Sequence, residues 1–145
     1  MSDKIWLRSY PPGMPAEIGV SPFSSVPELL EDTIRRYGDK PAFHNLGHTI
    51  SFNELERLSR DFAAYLQTLP GMVKGERVAI MLPNLLQYPV VLFGILRAGL
   101  TVVNVNPLYT ARELEFQLKD SGARAIIILE NFAGTLQKAL PNTAV

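Results

Sequence analysis

Cysteine is absent from this chain of 145 residues. Disulfides, thiolate nucleophiles and cysteine-ligated metals are therefore excluded, and the composition agrees with a reducing compartment. Histidine is nearly absent too, with His44 and His48 alone. They sit four apart on an expected hairpin, and no nearby carboxylate completes a set of metal ligands, so a surface role fits them better. There is no excess charge of either sign, because 14 Lys and Arg balance 14 Asp and Glu. The basic patch expected of a nucleic-acid binder is not indicated. No GxxxxGK[ST], GxGxxG or GxSxG pattern occurs, so phosphate loop, dinucleotide fingerprint and nucleophile elbow are all unsupported. The N-terminus "MSDKIWLRSYPPGMPAEIGV" lacks the apolar core of a signal peptide.

Apolar residues are plentiful, at 47% of the chain, which is enough for a sizeable core. Between Val78 and Ala111 only Arg97 is charged. That length could cross a bilayer, but Pro83-Asn84, Gln87 and Pro89 interrupt it. A lipid-facing backbone broken there would leave polar groups unsatisfied. A strand, a turn and a buried helix explain the same letters better.

Residues 1–20 are read as an extended arm, with Ile5, Trp6 and Leu7 lying on a folded body formed by residues 21–145. A helix is expected from Val26 to Tyr37, capped by Ser25, with Val26, Leu29, Leu30, Ile34 and Tyr37 on one face and Gly38 at its end. "PAFHNLGHTISF" then reads as a hairpin. Ser51 and Glu54 form a capping-box pattern that opens a helix from Phe52 to Thr68, with Leu55, Leu58, Phe62, Tyr65 and Leu69 on one side. Glu56/Arg60 and Arg57/Asp61 pair on the other side, each contributing roughly 0.3 kcal/mol.

The last third alternates strand and helix. "RVAIML" (77–82) has the unbroken apolar character of a buried parallel strand. A helix over 85–98 follows, with Pro89 in its first turn, Arg97 at the negative end of its dipole and Gly99 as its stop. "TVVNV" (101–105) is read as a central strand. A helix from Thr110 to Ser121 carries a second Thr/Glu capping-box pattern at Thr110 and Glu113. Ala125 to Leu129 is a third strand, and Asn131 to Leu140 a last helix. The fold class is thus α/β: a parallel sheet with helices on both faces (βαβαβα), preceded by a helix, a hairpin and a second helix. Ala144-Val145 resembles the start of a fourth strand, so the chain is expected to be the front part of a longer protein.

Ligands of open parallel sheets bind at the carboxyl ends of the strands. Those ends are Pro83-Asn84, Asn104 to Tyr109, and Glu130-Asn131. Asn104, Asn106 and Tyr109 can hydrogen-bond a ligand, although from these residues alone backbone capping by the asparagines and packing by Tyr109 explain them better. Glu54 and Glu113 are better explained as caps than as general acids. These residues alone support an α/β half-domain and no named reaction.

The stretches "TISFNELERLSRDFAAYLQ", "PNLLQYPVVLFGILRAG" and "VVNVNPLYT", the last followed by "REL", say more. With "ENFAGTLQKAL" and the leading "WLRSYPPGMPAEI" they resemble the N-terminal region of adenylate-forming enzymes, and most of all bacterial long-chain fatty-acid–CoA ligases. The resemblance implies that 21–145 is an N-terminal subdomain of such an enzyme, truncated before the ATP-binding motifs. Such enzymes use ATP with Mg2+ to convert a fatty acid to an acyl-adenylate, then pass the acyl group to coenzyme A. The Thr/Ser/Gly-rich phosphate loop and the later motifs are not in this chain. No catalytic or metal-binding residue is therefore carried over, tight cofactor binding by these residues alone is not expected, and the chain alone is expected to be inactive. By resemblance, Asn106, Pro107 and Tyr109 line the path of coenzyme A or substrate. Residues 131–134 lack the arginine some relatives use, so no contact is assigned there. Implied partners are a long-chain fatty acid and the remaining domains of the same enzyme. The implied location is cytoplasmic, with peripheral contact at the inner face of the cell membrane and a homodimer both left open. The alternative is a stand-alone α/β module for ligand binding or self-association.

Overall fold

The computed structural model describes residues 4–145, so Met1 to Asp3 of the expected arm lie outside the described residues. Ile5–Ser9 forms a 3-10 turn with Ile5 and Trp6 exposed, and residues 10–25 contain no helix or strand. Helix α1 spans Val26–Tyr37. The Ser25 hydroxyl accepts from Glu28 N, while the Glu28 carboxylate accepts from the Ser24 amide at 2.8 Å. Leu30 and Ile34 are buried, whereas Val26 and Tyr37 are about half exposed, so the buried stripe is narrower than the spacing suggested. Gly38 ends α1 in right-handed, not left-handed, conformation. Its missing side chain matters instead because Asn53 closes over it.

Strands β1 (Pro41–Asn45) and β2 (His48–Ser51) form the antiparallel hairpin. Its turn places both Leu46 (φ 48°) and Gly47 (φ 80°) in the left-handed region, the backbone of a type I′ turn, which favours Asn-Gly. Leu46 is also exposed, so its side chain gains little there. Leu46→Asn is expected to stabilise the chain by about 0.5–1 kcal/mol. A lower urea midpoint for that variant would refute the assignment of strain to this turn.

Helix α2 covers Phe52–Thr68, and Ser51 Oγ accepts from Glu54 N. Both expected ion pairs form, Glu56–Arg60 at 2.8 Å and Arg57–Asp61 at 3.4 Å. The buried stripe is Leu55, Ser59, Ala63 and Leu66, and Tyr65 is 57% exposed. The reason is tertiary. Helix α3 (Gln87–Arg97) crosses α2 closely at Gly94, beside the Ser59 carbonyl and the Phe62 ring, so small residues win the inner face. Helix α3 begins at Gln87 because a turn with Leu85 N donating to Pro83 O comes first. Pro89 falls third, where no helical N–H is needed. Arg97 is not at the surface. Its side chain is 8% exposed and reaches Glu31 of α1 at 3.2 Å.

Strands β3 (Arg77–Met81), β4 (Thr101–Asn104) and β5 (Ala125–Ile128) form a parallel sheet ordered β4-β3-β5. The central strand is therefore β3, not β4 as expected. Val78 to Met81 are fully buried while Thr101 and Asn104 are exposed. Rich β-branching reports that a strand exists but not how many neighbours it has. Helix α3 covers one face, through Ile80, Val91 and Ile95. Helices α4 (Ala111–Ser121) and α5 (Ala133–Ala139) cover the other, through Met81, Leu114, Leu118 and Ala139. The single last helix is in fact a 3-10 turn at Glu130–Phe132, then α5, then a second 3-10 turn at Leu140–Asn142 where Pro141 ends α-helical bonding. Ala144-Val145 is not a strand, and Val145 packs on the α4–α5 core.

Candidate functional site

The strand order sets where a ligand can lie. The connection after β3 runs over one face of the sheet, and those after β4 and β5 over the other. Strand β3 thus sends its loop to the opposite face from those of both neighbours, β4 and β5, and such divergence marks the crevice at the carboxyl ends of an open parallel sheet. Its walls are Leu82 to Asn84 and Leu129 to Asn131, and the β4–α4 loop flanks it. The crevice is fastened to the hairpin, since Asn45 Nδ2 donates to the Asn84 carbonyl at 3.0 Å. A cavity of about 230 Å³ lies between the hairpin and the β3–α3 turn, lined by His44, Asn45, Asn84 and Tyr88 among others. His44 Nδ1 lies 2.7 Å from Thr49 Oγ1 across the hairpin.

The β4–α4 loop brings the sequence candidates together. Asn106 Oδ1 accepts from Leu108 N at 3.0 Å, and Tyr109 N donates to the Asn106 carbonyl at 3.1 Å. Asn106 is exposed, while Pro107 and Tyr109 are half-buried and Tyr109 packs on the α4–α5 core. Asn106 thus spends its side-chain oxygen on its own loop. Asn104, at the end of β4, accepts from the Tyr88 hydroxyl through Oδ1 at 2.7 Å. Its carbonyl accepts from Gln117 Nε2 at 2.8 Å. Sequence reasoning named Asn104 but missed Tyr88 and Gln117, because no local pattern links residues on separate helices to a strand end. Beyond Tyr109, a groove of about 690 Å³ runs along α4 past Arg112, Phe116 and Asp120.

The loop ends in a complete capping box. Glu113 Oε2 accepts from the Thr110 amide at 2.8 Å and its hydroxyl at 2.7 Å. These donors, the amide first, hold the Glu113 carboxyl below its usual value of 4.5. A depressed folded-state value contributes stability that is complete above the unfolded-state value and lost as pH falls through the folded one. Glu113→Gln is therefore expected to flatten the acid limb of stability against pH, measured by urea unfolding. An unchanged limb would contradict this.

Among the described residues no group of three or more His, Asp or Glu could hold a metal ion. The described residues thus offer no carboxylate cluster to hold Mg2+. Among the described residues no helix is long and apolar enough to cross a membrane.

A family model described as "AMP-binding enzyme" matches residues 30–144. The chain belongs to the AMP-binding enzyme family. A long-chain-fatty-acid–CoA ligase of Salmonella typhimurium is 61% identical over 142 residues, covering 98% of this chain and 25% of that protein. The chain spans about a quarter of the length of the curated relatives it matches. Among solved structures, a benzoate CoA ligase from Burkholderia xenovorans LB400 matches with TM-score 0.76 at 28% identity, covering 81% of this chain and 24% of that one. A long-chain-fatty-acid-CoA ligase from Archaeoglobus fulgidus shares the fold, with TM-score 0.74 at 24% identity over 82% of this chain and 25% of that one. The α/β sheet of this chain is thus a partial domain of the larger ligase fold.

Proposed function

We propose that the chain is the N-terminal subdomain of a long-chain fatty-acid–CoA ligase, with residues 1–20 as its arm and 21–145 as its folded part. The supporting observation is the 61% identity to such a ligase across 98% of the chain. The whole enzyme activates a long-chain fatty acid with ATP and Mg2+ to an acyl-adenylate and transfers the acyl group to coenzyme A. The strand-end crevice, with Asn106, Pro107 and Tyr109 on its flank, is the part of the coenzyme A path that this chain supplies. A preformed loop rich in hydrogen-bonding groups at the carboxyl end of a parallel sheet supports that role. The remaining domains carry the reactive groups. The absence of cysteine agrees with a reducing compartment such as the cytoplasm, and a substrate that partitions into bilayers favours peripheral contact of the whole enzyme with the cell membrane. The open edges of β4 and β5 leave room for the other domains or for a second copy.

The test supplies the purified chain with ATP, Mg2+, a long-chain fatty acid and coenzyme A. No acyl-CoA is expected, and activity is expected once the chain is joined to the remaining domains. Thioester formation by the chain alone, or its absence from the joined enzyme, would overturn the reading.

A further inference from the structure

The β4–α4 loop is held more firmly than a solvent-facing loop requires. Asn104, the last residue of β4, is gripped from both faces of the sheet. Tyr88, in the first turn of α3, donates to its side chain from one face. Gln117, on α4, donates to its carbonyl from the other. Val105 N then donates to the Ile80 carbonyl at 2.9 Å, Asn106 caps its own turn, and the Thr110–Glu113 box closes the far end. Strand-to-helix loops are ordinarily among the more mobile parts of a domain. Gln117 carries a further sign. Its Oε1 is buried without a partner among the described residues. Such an amide calls for a reason, and here its donor half supplies one by fixing Asn104.

We propose that Tyr88 and Gln117 are positioning residues that act through Asn104 to preorganise the loop from Val105 to Tyr109 for coenzyme A. The proposal rests on the coenzyme A path given under the proposed function. A loop already in its bound conformation loses less freedom when ligand arrives, so the clamp appears in affinity for that ligand. Neither side chain needs to touch it. Asn106, Pro107 and Tyr109, which line that path, are carried on the loop so held.

The test uses the full-length ligase that carries this chain. Tyr88→Phe keeps the ring and removes the hydroxyl donor. Gln117→Glu keeps the shape and removes the amide donor. Each is expected to raise KM for coenzyme A about fivefold, the scale of one neutral hydrogen bond. KM for ATP and fatty acid, and kcat, should stay within about twofold. Amide exchange from Val105 to Tyr109 should quicken. Asn104→Ala should have the same effect, and Tyr88→Phe combined with Asn104→Ala should cost no more than either alone, as coupled partners behave. Unchanged exchange and unchanged KM in both single variants would overturn the clamp. Quicker exchange with an unchanged KM for coenzyme A would overturn the proposal through the ligand path, leaving the clamp as architecture only. A rise in every KM with a fall in kcat would reveal general damage and also overturn it.

Discussion

Gly94→Val is expected to destabilise the chain by about 3 kcal/mol, lowering Tm by roughly 10 °C. A Cβ built on Gly94 would lie 2.6 Å from Phe62 Cδ1, 3.2 Å from Phe62 Cβ and 3.1 Å from the Ser59 carbonyl oxygen. The ring edge can turn aside, but the Phe62 Cβ and the Ser59 carbonyl belong to the path of α2 and cannot move without shifting that helix. Alanine separates the two opposing effects. Helix propensity favours Ala over Gly by about 1 kcal/mol, while overpacking a tight crossing costs about 1–3 kcal/mol. Gly94→Ala should therefore lose only about 1 kcal/mol, and the cost should grow with side-chain volume. Urea unfolding of both variants checks the order. If Gly94→Ala is more stable than the parent, as at an exposed helical glycine, the close crossing of α2 and α3 is wrong.

Leu114→Ala is expected to cost about 2–5 kcal/mol, the range for truncating a buried leucine. Leu114 has no exposed surface and packs with Met81, Val105 and Leu118 between α4 and the sheet. Strand and helix are joined by the loop they flank and cannot collapse freely into the gap, so a cavity should remain. Phe116, two residues on, is larger yet 70% exposed. Phe116→Ala should change stability by no more than about 0.5 kcal/mol in the isolated chain. Guanidinium melts of the pair give the comparison. Equal losses would mean that α4 is rotated from the orientation described. Phe116 also lies on the groove that continues from Tyr109 along α4, so its truncation should matter more in the joined enzyme if the remaining domains cover that groove.

Several elements were legible because their causes are local. The hydroxyls of Ser25, Ser51 and Thr110 each accept from an amide three residues on. Together with glycine and proline stops, they placed α1, α2 and α4 at the bounds expected. The unbroken apolar run of β3 announced a buried strand, and β-branched runs announced its two neighbours. The candidate site was read only as an address, the carboxyl ends of the strands. Resemblance named Asn106, Pro107 and Tyr109 as candidates, but no local pattern named Tyr88 and Gln117, which hydrogen-bond to the end of β4.

By itself, then, the amino-acid sequence determined which segments are helix and which are strand, that the strands run parallel, and to which family the closest likeness points. Caps, turns and periodicity act over a few residues, and parallel strands joined by helices have one favoured hand. Only the tertiary structure decided that β3 lies at the centre, that Ser59 and Ala63 displace Tyr65 from the inner face of α2, and that Tyr88 and Gln117 meet at Asn104. Each of those outcomes depends on how closely two distant segments approach. That distance is set by the volumes and hydrogen-bonding groups of both partners at once, and neither segment carries it alone.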